Sequence, residues 1–172
     1  MGMDVVGKNA VSETGEYFRR NVWGWRPLWQ YVEIMHKDLA EKVEYGQSND
    51  GDGLNAEDSK DLAQRLLEDV KTKRAEEYVN QRNIWLSSLP RENCGICNNT
   101  GIRSDEIGRE HGMHDKELTP EVQVLTGRTH GYCNGCSGIG SKENWELSYS
   151  LDTDDLIEFS YFLRDCGGFE IW

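Results

Sequence analysis

Two cysteine pairs, Cys94-Gly95-Ile96-Cys97 and Cys133-Asn134-Gly135-Cys136, have the spacing with the clearest chemistry in this 172-residue chain. Two intervening residues let both thiolates of a pair reach one ion. Two such pairs complete the tetrahedral sulfur set that Zn²⁺ favours, at about 2.3 Å per bond. One structural Zn²⁺ on Cys94, Cys97, Cys133 and Cys136 is therefore expected, with no open position left for catalysis. His111, His114 and His130 fall in the same stretch and could replace a ligand, although four cysteines already suffice. The fifth cysteine, Cys166, shares a predicted helix face with Phe162 and Leu163 and reads as a buried, inert thiol. Two close pairs and a leftover suit a metal site in a reducing compartment better than a disulfide framework.

A second group of residues has the composition of a binding surface. Glu16 to Tyr31 reads EYFRRNVWGWRPLWQY, six aromatics in sixteen residues with Arg19, Arg20 and Arg26 among them. Trp, Tyr and Arg dominate binding hot spots, and arginine stacks on indole faces. The same residues would equally serve as core, with the arginines reaching outward, or as a stacking platform for single-stranded nucleic acid. Asp50 and Asp52 fall at the third and fifth positions of a calcium loop counted from Ser48, but Ser59 stands where the bidentate carboxylate belongs. A helix-entry turn explains them as well, beside a weak cation or polar-ligand site. The candidate binding residues are thus Arg19, Arg20, Trp23, Trp25, Arg26, Asp50 and Asp52. A small-ligand or nucleotide pocket would join Arg19, Arg20, Trp25 and Asp50. No Ser/His/Asp order, nucleotide-binding glycine loop or metalloprotease helix occurs, so a non-enzyme is the favoured reading.

These residues need elements to position them. Met3–Val6 reads as a short strand, and Pro27 suits the first position of a helix. Leu28, Val32, Met35, Leu39 and Val43 then mark one face of a helix or of two abutting helices. Asn55 and Asp58 resemble a capping box before a stripe of Leu62, Leu66 and Val70, and a break is expected near Lys71-Thr72-Lys73. Tyr78, Arg82, Trp85 and Leu89 continue helically to Pro90. Trp145, Leu147, Tyr149 and Leu151 alternate as in a half-buried strand. Asp152 or Thr153 caps a last helix that Gly167 ends, and Phe169–Trp172 reads as a final strand suited to pair with Met3–Val6. The expected fold is α+β: a small sheet of N- and C-terminal strands with three or more helices. Residues 1–90 and 145–172 would form one domain, and 91–144 a zinc-binding insertion.

Composition narrows the partners. Asp and Glu number 31 against 19 Lys and Arg, a net charge of −12 that disfavours duplex nucleic acid. The 6 Trp, 7 Tyr and 4 Phe argue against disorder. The chain shows neither a basic-then-apolar leader nor an apolar run of about 18 residues, so a soluble cytoplasmic protein without a membrane partner is expected. Nothing in the sequence sets an oligomeric state.

Cys133–Gly140 matches the C-x-x-C-x-G-x-G repeat fully, and Cys94–Gly101 matches it with Asn99 in place of the first glycine. Residues 94–140 thereby resemble half of a DnaJ-type cysteine-rich domain. The resemblance implies one structural zinc knuckle, of a kind often used in protein–protein contact. The chain lacks a J-domain and its His-Pro-Asp triplet, so cochaperone activity is not implied. The whole chain also resembles a group of bacterial and bacteriophage proteins with no established activity. That resemblance rests on Gly2–Val5, Gly15–Arg19, Trp25–Leu28, Ser48–Leu54 and Gly167–Ile171, and it implies a phage or prophage accessory role. The leading expectation is a non-enzymatic accessory protein that binds and modulates a host protein. The alternatives are the small-ligand binder and, less favoured, an acidic nucleic-acid mimic interrupted by Lys60, Lys71, Lys73 and Arg74.

Overall fold

Gly2–Gly7 alternates inward Met3 and Val5 with outward neighbours, and this strand becomes the middle of a three-stranded antiparallel sheet. The computed structural model describes residues 2–172. Its elements run β1 (Gly2–Gly7), α1 (Glu13–Glu16), β2 (Tyr17–Asn21), α2 (Val22–Met35), α3 (Lys37–Ala40), α4 (Ala56–Lys71) and α5 (Arg74–Ser88). There follow β3 (Glu92–Asn93), α6 (Glu106–Glu110), α7 (Pro120–Thr126), β4 (Ser141–Lys142), a 3₁₀ turn (Trp145–Ser148), α8 (Thr153–Asp165) and β5 (Phe169–Ile171). The fold is α+β. The chain forms two compact units, one made of the residues up to Ser87 with Ser148–Trp172, the other of Ser88–Leu147. Among the described residues no helix is long and apolar enough to cross a membrane.

In the first unit the sheet order is β2-β1-β5, with Val5 opposite Phe18 on one side and Ile171 on the other. The C-terminal strand pairs with the N-terminal one as its apolar residues demand, and Phe169 and Ile171 are wholly buried. An exposed β5 edge would be a template for unwanted pairing. Here the 48–54 loop covers it: Ile171 N–H donates to the Asp52 carbonyl at 2.8 Å, and Gly51 N–H to the Ile171 carbonyl at 2.8 Å. That approach leaves no room at Gly53, where a Cβ would lie 2.0 Å from the Phe169 carbonyl oxygen.

The helices start and stop largely where local chemistry directs. Asn55 Oδ1 accepts the Asp58 N–H at 2.9 Å, and Asp152 forms a reciprocal capping box with Asp155. The α4–α5 break falls at Thr72–Lys73, with Lys73 at φ 64°. Two expectations need correction. Helix α2 begins at Val22, not at Pro27, because Asn21 caps it through a 2.9 Å bond from the Gly24 N–H. The extra turn puts Trp25 into the core, and burial of that indole outweighs the backbone bond that proline gives up. Residues 145–151 are not a strand. Trp145–Ser148 form a 3₁₀ turn, in which Asn144 Oδ1 accepts the Glu146 N–H at 3.0 Å, residues 149–151 are irregular, and no strand pairs with the segment.

A buried polar network ties the α2–α3 junction to the end of α4. Asp69 Oδ2 accepts from the Tyr31 hydroxyl at 2.7 Å and lies 2.8 Å from His36 Nε2, while Arg74 Nε approaches Asp69 Oδ1 at 3.2 Å. His36 and Asp69 are each 4% exposed. Burial lowers the His36 pKa below its ordinary value, against the pull of the Asp69 carboxylate.

Candidate metal centre

The second unit is organised around sulfur. The short ribbon of β3 and β4 pairs Glu92 with Lys142 and Asn93 with Ser141, which brings the N-terminal side of one cysteine pair against the C-terminal side of the other. Cys94 N–H then donates to the Gly140 carbonyl at 3.2 Å. All four cysteines are buried, and their sulfurs lie within 4.8 Å of one another. Cys94 Sγ is 3.9 Å from Cys133 Sγ, and Cys97 Sγ is 3.7 Å from Cys136 Sγ. A regular tetrahedron with metal–sulfur bonds of about 2.3 Å has edges of about 3.8 Å, so the cluster already has the size of a tetrathiolate metal site.

The two halves share three backbone hydrogen bonds. Asn99 N–H donates to the Cys94 carbonyl and Gly138 N–H to that of Cys133; Thr100 and Ile139 do the same to Cys97 and Cys136. Gly101 N–H then reaches Cys97 Sγ at 3.3 Å, and Gly140 N–H reaches Cys136 Sγ at 3.2 Å. Backbone donors aimed at sulfur stabilise thiolate charge and orient the ligands. The odd residue of the first repeat fits: Asn99 sits at φ 68°, the left-handed conformation that Gly138 holds at φ 84° in the second. Asparagine is among the few residues that enter this region readily. Gly101 and Gly140 are required sterically as well, because the repeats pack together. A Cβ on Gly101 would lie 2.3 Å from the Gly138 carbonyl oxygen, and one on Gly140 would lie 2.5 Å from that of Asn99.

Burial pushes the Cys136 thiol up to about 12 and raises that of Cys133 too. Thiolates packed this closely need a cation to coexist. The donor set therefore fits a thiophilic divalent ion held with all its positions filled by protein. Such an ion supplies folding energy to the loops it joins and has no vacancy for a substrate. His111, His114 and His130 are exposed and lie outside the cluster.

Comparison with known protein families, with curated proteins and with solved structures gave no match. The site's own geometry carries the interpretation.

The aromatic–arginine segment divides between core and surface. Trp25 is fully buried, stacked on Trp29 with ring centroids 5.7 Å apart, and its Nε1 donates to the Gly46 carbonyl at 2.8 Å. It is unavailable to a ligand, which corrects its expected place in a pocket. Trp23 stays on the surface beside Tyr149, whose hydroxyl accepts from Arg26 Nη1 at 3.1 Å. Arg19 and Arg20, at the end of β2, line one cavity with Trp23 and Asp155 of α8. Arg20 Nη2 pairs with both Asp155 and Glu158. Burial raises the Asp155 pKa in spite of that partner.

Asp50 and Asp52 do not line this cavity. Asp50 accepts from the Ser48 hydroxyl, and Asp52 accepts backbone N–H groups of Tyr45 and Gly53 at 3.0 and 2.7 Å, the chemistry of a turn. Acidic residues near α4 are paired with cations, Asp61 and Asp38 with Arg65, and Asp58 with Lys42. Cys166 is buried, and burial raises its thiol.

Proposed function

We propose that this chain is a non-enzymatic binding protein in which Zn²⁺ on Cys94, Cys97, Cys133 and Cys136 staples residues 88–147 into a platform for another protein. One observation carries the reading. Helix α7, held inside that unit, buries none of its residues, and it leaves Val124 86% and Leu125 71% exposed. The helix rests on the unit through half-buried Val122 and through Gln123, whose Nε2 donates to the Leu118 carbonyl at 2.8 Å, which leaves Val124 and Leu125 without a packing role. Adjacent exposed aliphatic residues on a rigid support are the material of a docking site. An all-sulfur tetrahedral set of buried cysteines supports zinc, the usual ion of structural four-cysteine sites. The resemblance to bacterial and phage proteins supports a host protein as the partner. Four unpaired cysteines held by metal suit a cytoplasmic setting.

The test is affinity capture from host lysate with the tagged, zinc-loaded full chain, beside a Val124→Asp/Leu125→Asp variant. The expected result is a specific partner whose affinity falls by roughly thirtyfold or more in the variant, the scale of a hot-spot loss, with zinc content unchanged. A partner that binds the variant equally well removes α7 from the interface and with it the support for this reading.

A further inference from the structure

Strand β2 is one edge of the three-stranded sheet, and its outer side has no strand partner among the described residues. The direction of its main-chain groups follows from β1. Asp4 exchanges both backbone bonds with Trp172, its N–H donating to the Trp172 carbonyl at 2.9 Å and accepting in return at 2.6 Å through its own carbonyl. Alternate residues of an antiparallel strand turn to opposite neighbours, so Met3 and Val5 bond β2 through their partners Arg20 and Phe18. Tyr17 and Arg19 therefore aim their N–H and C=O groups away from the sheet, and no loop among the described residues is bonded to them. We propose that this edge accepts an extended, basic segment of a partner protein as an added antiparallel strand. The inference is independent of the metal unit and of the docking role of α7.

The two edges of the sheet contrast. The 48–54 loop covers β5, whereas β2 has no such cover and no proline, and its unbroken register with β1 leaves no bulge. Space lies beside it. A cavity of about 600 Å³ runs between Arg19–Asn21 on one side and Ser150 and Asp155 on the other. The Arg19 guanidinium turns toward Asp4, 3.4 Å away on the outer face of the sheet, so Arg19 presents main chain to this cleft. A strand paired at the usual spacing of about 4.7–4.9 Å enters it.

Charge selects the segment. Side chains alternate along an added strand, so those opposite Arg19 join the outer face and those opposite Phe18 and Arg20 face α8. There two carboxylates, Asp155 and Glu158, share the single cation Arg20. The Glu158 side chain is 61% exposed, and exposed Asp154 belongs to the same acidic end of α8. A lysine or arginine on the inner face of the segment supplies the missing positive charge, and a carboxylate there meets repulsion. The net charge of −12 disfavours a second copy of this chain as the occupant.

The experiment titrates the zinc-loaded full chain with the peptide acetyl-Thr-Lys-Thr-Lys-Thr-amide, by calorimetry for affinity and by amide hydrogen exchange for position. In the proposed pairing the lysines face α8, and the threonine main chain bonds that of Tyr17 and Arg19. The peptide should bind at least about tenfold more tightly than its Thr-Glu-Thr-Glu-Thr counterpart, and N-methylation of its threonines should weaken it at least about tenfold. Glu158→Gln should narrow the lysine preference, which net charge alone would preserve. Binding should slow exchange of the Arg19 N–H by at least about tenfold. Arg19→Pro removes that N–H and should abolish binding, while the bonds of β2 to β1 run through Phe18 and Arg20 and stay intact. If that variant unfolds, the methylated peptide tests the same bonds on the unaltered chain. Absence of binding at millimolar peptide would overturn the proposal. So would equal binding of the methylated or the glutamate peptide, a lysine preference that Glu158→Gln leaves unchanged, or binding that leaves Arg19 N–H exchange unaltered.

Discussion

The unit built from residues up to Ser87 with Ser148–Trp172 buries Trp25, Trp29, Phe159, Phe162 and Phe169 against one another. In Ser88–Leu147 the buried hydrophobic residues are four cysteines and Leu118. The first has the large apolar area that stabilises an ordinary domain. The second, about 60 residues long, has too little, and a length near that limit commonly needs a metal or disulfides. The difference teaches where each unit's stability has to come from: ring burial for one, and for the other a cluster of four buried cysteines of the size that holds a metal ion. Perturbations should therefore separate cleanly between the two.

The largest effect is expected from Cys94→Ser. Structural zinc sites contribute about 10–16 kcal/mol in small metal-folded peptides, so loss of one ligand should unfold residues 88–147. Amide hydrogen exchange should show that segment unprotected while α4 and α8 keep their protection. Global unfolding would break the comparison. Deletion of residues 169–172 should do the reverse. It removes the buried Phe169 and Ile171, each worth about 1.5–3 kcal/mol, and the strand that completes the sheet. The first unit should melt or become insoluble with zinc still bound. Trp25→Ala should cost that unit about 3–5 kcal/mol in chemical denaturation and leave the metal content unchanged.

Much of this division was legible in the sequence, for physical reasons that particular residues show. Cys94–Gly101 and Cys133–Gly140 encode their geometry within eight residues each, so the metal set, and even the tolerance of Asn99, follow from local backbone rules. The same holds for the caps at Asn55 and Asp152 and for the break at Lys73. What escaped depends on distant partners. Strand β2 carries Arg19 and Arg20 where an apolar pattern would have marked it, and it exists because β1 lies alongside. Asp69 meets Tyr31 and His36 across separations of 38 and 33 residues, with no local trace of either. Trp145, Leu147, Tyr149 and Leu151 have a strand's alternation but no strand to pair with. The aromatic segment could not be divided by composition alone, since Trp23 and Trp25 differ only in which side of α2 they occupy.

The smallest effect sharpens the comparison through pH. His36 is buried with its pKa below the ordinary value of 6.5, so the unfolded chain takes up the proton first as the medium is acidified. Stability of the first unit should hold above pH 6.5 and decline as the pH falls through the lowered folded value. Asp69 opposes that decline, whereas Arg74 and Arg65 favour it. His36→Gln should flatten this part of the pH–stability curve, as read by urea denaturation. An equal slope in the variant would assign the effect to other groups.

The central claim, that one zinc held by four thiolates organises residues 88–147, is tested most directly by zinc-edge X-ray absorption on the purified full chain, with metal content measured on the same sample. The account predicts one zinc per chain with four sulfur neighbours at about 2.3 Å and no nitrogen or oxygen in the shell. A chain that folds without metal, or a shell containing a histidine nitrogen such as that of His130, would contradict it.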